Sequence, residues 1–168
     1  MPETAATGIE KRRSIRFPFT NPLEWNTKAA ARKMLAQSEN MSLHGMKIIS
    51  PVSCPDQSPI VVHILGSSPD IATLSPLRGS VVWVREENIS PVLKYSIGVE
   101  FDQPEREALS VLAGHAIAQL TNKIEKNPDD LWLYRFRGDA KKARGDLGGA
   151  LQDYDKAEEL KKNGRWRL

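Results

Sequence analysis

The spacing of apolar residues changes near Asp102, and no single repeating architecture accommodates both halves of the chain. Upstream, Tyr95, Ile97, Val99 and Phe101 alternate with Ser96, Gly98 and Glu100. A period of two buries one face of a strand and leaves the other outside. Downstream, Ala108, Leu109, Leu112, Ala113, Ala116, Ile117, Leu120 and Ile124 recur at i, i+3 and i+4. That spacing makes one apolar stripe along a helix. The chain therefore reads as a β part followed by an α part.

The β part breaks into short runs separated by turn residues. Residues 46–49, 60–65, 77–84 and 95–101 read as strands, rich in Val and Ile and bounded by Pro, Gly and Ser. Residues 50–59, 66–69 and 86–91 read as turns. Several short strands with polar turns favour an antiparallel barrel or sandwich over a parallel sheet. Residues 27–37 are ambiguous, since Ala29, Ala30 and Ala31 favour helix by propensity alone. In the α part, Asp102 and Glu105 have capping-box spacing, and Asn127-Pro128 stops the first helix. A second helix is predicted over 130–143, closed by Gly145 in a left-handed conformation. Asp146 then caps a third, whose stripe is Leu147, Ala150, Leu151, Tyr154, Ala157 and Leu160. The basic end, 161–168, is expected to fray.

Composition favours binding over chemistry. In 168 residues, 24 Lys and Arg against 21 Asp and Glu leave a net charge of +3, too mild to force nucleic-acid binding. No run approaches the ~18 apolar residues of a membrane span. The N-terminal residues show no secretory signal, and Cys54 is the single cysteine, so a reducing cytoplasm is the expected location. One cysteine also excludes a cysteine-based zinc site. His44, His63 and His115 lack metal-ligand spacing, and no nucleophile elbow, phosphate loop or dinucleotide fingerprint occurs. The expectation is a protein that is not an enzyme and carries no cofactor or metal.

Two short motifs carry the recognition chemistry. Arg12-Arg13-Ser14-Ile15-Arg16 is an R-R-x-x-R run, and Asn40-Met41-Ser42-Leu43-His44-Gly45 is an N-x-S-x-x-G run before a strand. Alone, the first reads as a solvated basic patch and the second as an Asx or Ser turn. Together with Gly79-Ser80-Val81-Val82-Trp83-Val84 and the closing Gly98-Val99-Glu100-Phe101, they resemble the PilZ domain, a bacterial receptor module for cyclic di-GMP. The resemblance covers residues 8–104 and implies an antiparallel β-barrel that binds the nucleotide. It places Arg12 and Arg16 as the main ligand arginines, with Arg13 beside them. It makes Asn40 and Ser42 polar readers of a guanine and Gly45 a structural residue. Arginine suits this ligand, because its planar fork can grip a phosphate or the O6/N7 edge of guanine. Asn40 can both donate and accept, where an ionised Asp only accepts. Trp83 is expected in the core, as most strand aromatics are, and His44 in a solvent-facing turn.

Residues 131–164 resemble one tetratricopeptide repeat, on Tyr134, Gly138, Ala150, Tyr154 and Ala157. Arg137 and Lys141 depart from it, standing where Leu and an aromatic are usual. The expected organisation is a flexible start (1–7), a mainly β PilZ-like barrel (8–104), a helical extension of one and a half repeats (105–162) and a basic tail (163–168). The expected function is a cytoplasmic cyclic di-GMP effector whose arginine segment is ordered by ligand and relays the signal to a protein partner, possible contact residues being 105–162. The rival reading is a scaffold of the same fold that works through helix-mediated contacts without nucleotide. Binding of nucleic acid and a membrane span are not expected.

Overall fold

The computed structural model describes residues 14–27, 30, 32–87, 90–92, 94–102 and 106–164. Seven strands come first: β1 (Phe17–Pro18), β2 (Pro22–Thr27), β3 (Met34–Ser42), β4 (Gly45–Ser50), β5 (Pro59–Ile64), β6 (Leu77–Glu86) and β7 (Tyr95–Phe101). A short helix, α1 (Pro69–Ala72), separates β5 from β6. Three helices follow: α2 (Arg106–Lys126), α3 (Leu131–Arg144) and α4 (Leu147–Lys162). All pairings are antiparallel. The order β3-β2-β5-β6-β7-β4 returns to β3 through the β3–β4 hairpin, which closes a six-stranded barrel, and β1 adds a seventh strand alongside β3. Closure removes the open edges that an antiparallel sheet of this length would otherwise present.

Strand alternation fills the barrel. Leu23 and Trp25 from β2, Met41 from β3, Met46 and Ile48 from β4, Ile60 and Val62 from β5 and Val81 and Ile97 from β6 and β7 are almost fully buried. The apolar stripe of α2 enters the same core with Leu109, Leu112, Ala113 and Ala116, and Ala140 of α3 joins it. One core therefore runs across residue 104, where the change of sequence period suggested a division. Phe17 of β1 and Phe19 just after it are buried in that core, which anchors the chain just after Arg16.

Residues 34–37 are strand, although the neighbouring alanines favoured helix. Met34 to Gln37 pair with β2, and Gln37 also pairs with Ile49 of β4, so a strand ladder overrides a weak local preference. β2 itself alternates, with Leu23, Trp25 and Thr27 inward, and that period was present in the sequence. α1 was not expected either; it begins at Pro69, the end of the predicted turn 66–69, and Ile71 is its buried residue.

Gly145 and Asp146 cap where expected, Asp130 is a further cap, and Glu105 of the expected Asp102–Glu105 capping box lies outside the described residues. Asp130 accepts from the Trp132 N–H, Gly145 closes α3 at φ 95°, and Asp146 accepts from the Gly149 N–H. The stripe of α4 is rotated from its prediction: Leu147 and Leu151 are 60% and 62% exposed, while Asp153 is 3% exposed. The buried side is Ala150, Asp153, Ala157 and Leu160. Asp153 explains the departures at Arg137 and Lys141. Arg137 grips its carboxylate with Nε at 2.9 Å and Nη2 at 2.6 Å, and Lys141 Nζ lies at 2.9 Å. Arg137 Nη1 also donates to the Thr121 hydroxyl on α2, so one guanidinium joins three helices.

Candidate functional site

The β3–β4 hairpin carries the N-x-S-x-x-G run. Ser42 and Gly45 face each other across its two-residue turn. The Ser42 hydroxyl accepts from the His44 N–H and donates to the Gly45 carbonyl, both at 3.3 Å, and the residue is 3% exposed. Ser42 therefore builds the turn. Gly45 has no positive φ; its role is close approach, because a Cβ there would overlap the Val99 carbonyl of β7. His44 is half-buried, not solvent-facing.

Asn40 lies two residues before the turn. Met41 points into the core, so Asn40 faces outward by alternation. From Asn40 a row crosses the outer face of the barrel. Asn40 opposes Lys47, Lys47 opposes Gly98, and Gly98 opposes Trp83. Arg16 reaches this row from the start of the described chain, with Nη1 donating to Asn40 Oδ1 at 2.8 Å. The register Phe17↔Met41 and Pro18↔Asn40 brings it there. Thus the last arginine of one motif meets the first residue of the other, 24 positions apart.

The far end of the row is aromatic. Gly98 sits between the buried Ile97 and Val99, so its missing side chain leaves a flat place on the outer surface. The Trp83 indole occupies it, since a Cβ on Gly98 would overlap the ring. Arg85 stands over the same ring at 5.4 Å from its centroid. Trp83 is therefore an outer-face residue, contrary to the expectation of a core one. The cause is a bulge between Val81 and Trp83 that shifts the phase of β6 by one residue. Gly98→Ala should displace the indole. Fluorine NMR of fluorotryptophan-labelled protein, with Trp83→Phe identifying the resonance, is expected to show that one signal move while Trp25 stays.

Ionic contacts complete the surface. A bulge between Ser38 and Asn40 pushes Glu39 out of register. Glu39 Oε2 accepts from Lys47 Nζ at 2.9 Å and from Asn40 Nδ2 at 3.3 Å. Lys47 also faces Glu87 at 3.7 Å, and Glu87 accepts from the Ser96 hydroxyl at 2.7 Å. The Ser96 hydrogen bond, with Lys47 and Arg85 nearby, holds the Glu87 carboxyl below its ordinary value.

Of the residues singled out in the sequence, Arg16 and Asn40 touch, Ser42 and Gly45 shape the adjoining turn, and Arg12 and Arg13 lie outside the described residues. Lys47, Trp83 and Arg85 were missed. Lys47 shows in the sequence only as an outward strand residue between Met46 and Ile48, whereas Gly98 was legible as a glycine inside an alternating strand, a sign of close approach. Cys54 is buried elsewhere, with burial pushing its thiol up to about 11, the reverse of an activated nucleophile. Among the described residues no cluster of His, Cys, Asp and Glu could hold a metal ion, and no helix is long and apolar enough to cross a membrane.

Comparisons with known proteins converge on one fold. The PilZ domain family profile matches residues 10–118, more than half of the chain. Comparison with curated proteins finds no match. Among solved structures, the PilZ domain of YcgR from Escherichia coli, solved with c-di-GMP, superposes with a TM-score of 0.55 at 11% identity, covering 71% of this chain and 98% of that one. The Bacillus subtilis inhibitor of motility MotI/DgrA superposes at 0.51 with 14% identity, covering 68% of this chain. The match takes up 53% of that protein, so this chain spans about half its length.

Proposed function

The chain belongs to the PilZ domain family, and from that premise we propose that it is a cyclic di-GMP receptor acting by binding and not by catalysis. One observation carries the reading to this chain: Arg16 and Asn40, from two separate motifs, are joined at 2.8 Å on an outer face that ends in the Trp83 indole. The face offers the complement of the ligand. Arginine forks suit phosphate and the guanine edge, Asn40 supplies a donor and an acceptor, and an indole supplies a stacking surface. Arg12, Arg13 and Arg16 bind phosphate and base; Asn40 reads the base beside them. Ser42 and Gly45 hold the hairpin that presents Asn40, a supporting part for Ser42 in place of direct reading.

The arginine segment then relays occupancy to a protein partner. Lys11, Arg12, Arg13 and Arg16 are a run of like charge that the ligand phosphates neutralise, and the ligand orders the segment that leads into Arg16, itself already seated on Asn40. Calorimetric titration of the full chain with cyclic di-GMP, with a generic oligonucleotide as control, tests the receptor reading. Saturable binding of the nucleotide alone is expected. Amide hydrogen exchange tests the relay: residues 8–17 and 40–45 should gain protection on adding nucleotide. Equal protection of 8–17 with and without it would leave a receptor with no relay through that segment.

A second reading has its own observation. Trp132 is 50% exposed on α3, and Leu147 and Leu151 are exposed on α4, apolar side chains that suit a helix-mediated contact. A protein of this fold that fails the titration would work as a scaffold through such helix side chains.

A further inference from the structure

The outer face that would receive the dinucleotide already holds its own anions. Lys47 stands in the middle of the row, opposite Asn40 on one side and Gly98 on the other. Its side chain is 19% exposed, and its ammonium is shared by Glu39 at 2.9 Å and Glu87 at 3.7 Å. Glu39 reaches it from the bulge in β3 and also holds the Asn40 amide. Glu87 reaches it from the end of β6 and is fixed by the Ser96 hydroxyl. Asn40 is thus held from both sides, with its oxygen on Arg16 and its nitrogen on Glu39. Glu39 and Glu87 are 47% and 37% exposed at the side chain and have solvent to turn into, Glu87 only on breaking its Ser96 bond, whereas Lys47 at 19% is the most buried of the three.

We propose that Lys47 is a further phosphate-binding residue of this face and that Glu39 and Glu87 are internal competitors that occupy it in the free protein. The inference rests on the nucleotide reading above and concerns the affinity of that same site. A ligand phosphate arriving on the row displaces Glu39 first, because Glu39 is the more exposed carboxylate and its departure also frees the Asn40 amide. Glu87 stays longer, held by Ser96. The carboxylates raise the concentration of nucleotide needed for occupancy, and they reject anions too weak to displace both.

The test is calorimetric titration of the full chain with cyclic di-GMP at fixed low salt. The variants are Glu39→Gln, Glu87→Gln, the double variant and Lys47→Met. Glu24→Gln serves as a charge control, since Glu24 pairs with Lys33 beside Leu35, away from the row. Each single change in the competitors is expected to tighten binding about threefold, and the pair roughly tenfold. Glu24→Gln should change it little. Lys47→Met should weaken binding about tenfold and lower its dependence on salt. Binding by the double variant alone would be the same mechanism in its strongest form. Binding that is indifferent to Glu39, Glu87 and Lys47 overturns this inference and leaves the receptor reading standing. No binding by the native chain or by any variant overturns both.

Discussion

Arg16→Ala is expected to weaken cyclic di-GMP binding by about ten- to a hundredfold, the loss of charge-assisted contacts of roughly 1.5–3 kcal/mol. Two losses combine in this substitution. The ligand loses a guanidinium, and Asn40 loses the donor that orients its carboxamide at 2.8 Å. Arg16→Lys keeps the charge but not the planar fork, so it should recover only part of the affinity. Phe17 and Phe19 are buried in the barrel core and are untouched by either change, so folding should be native by circular dichroism. Arg12→Ala is expected to give a loss of similar size. Unchanged affinity in both alanine variants would remove the arginine segment from the site. Ser42→Ala should behave differently. Its hydroxyl bonds the turn at His44 and Gly45, so the variant should lose about 1 kcal/mol of stability with a smaller effect on affinity.

Asp153→Ala should be strongly destabilising in the helical part, costing about 3 kcal/mol by chemical denaturation, because it leaves two half-buried cations without their carboxylate. Arg137 and Lys141 are only 17% and 18% exposed at the side chain. Arg137 also ties α2 to α3 through Thr121, so the loss should spread through all three helices. The same cluster sets an acid dependence. Burial alone would raise the Asp153 carboxyl, but hydrogen bonds from Arg137 and Lys141 outweigh it and hold the group below the ordinary carboxylate value. A depressed carboxyl contributes stability that is complete above the unfolded value, about 3.9, and is lost as pH falls through the folded one. Asp139, raised by burial, contributes a slope of opposite sign. The informative quantity is therefore the difference between the native chain and Asp153→Asn. That difference should be flat from neutral pH down to about 4 and shrink below it. A difference that grows on acidification would refute the assignment.

Much of the site is legible in the amino-acid sequence. The two motifs name Arg16 and Asn40, and the fold joins them. Gly45 reads as structural, and its close contact with Val99 is the reason. Trp83 is misplaced by sequence reasoning because four apolar residues, 81–84, carry no period of their own. A run without alternation does not say which side chain faces out, and a bulge decides it. Lys47 does not stand out because a lone lysine between apolar neighbours has the pattern of any solvated strand face. Its importance comes from Glu39, Asn40 and Glu87, which reach it from two other strands.

By itself the sequence determined what depends on neighbours within one turn or one strand. The change of period at Asp102 divided strands from helices. Asp130, Gly145 and Asp146 set the ends of α3 and α4, because caps satisfy backbone groups only a few residues away. Tertiary structure decided which faces meet. The alanine-rich approach to β3 ended in strand at Met34 because β2 offered a ladder from Met34 to Gln37, with β4 taking over the pairing from Gln37 onward. The stripe of α4 turned to bury Asp153 because Arg137 and Lys141 on α3 could neutralise it. Two bulges, at Glu39 and after Val81, put a carboxylate beside Lys47 and an indole over Gly98. Propensity and periodicity are local and amount to tenths of a kcal/mol per residue, roughly up to one. Leaving a buried charge without its partner costs several, and here that partner, Arg137 for Asp153, sits on another helix 16 residues away in the chain.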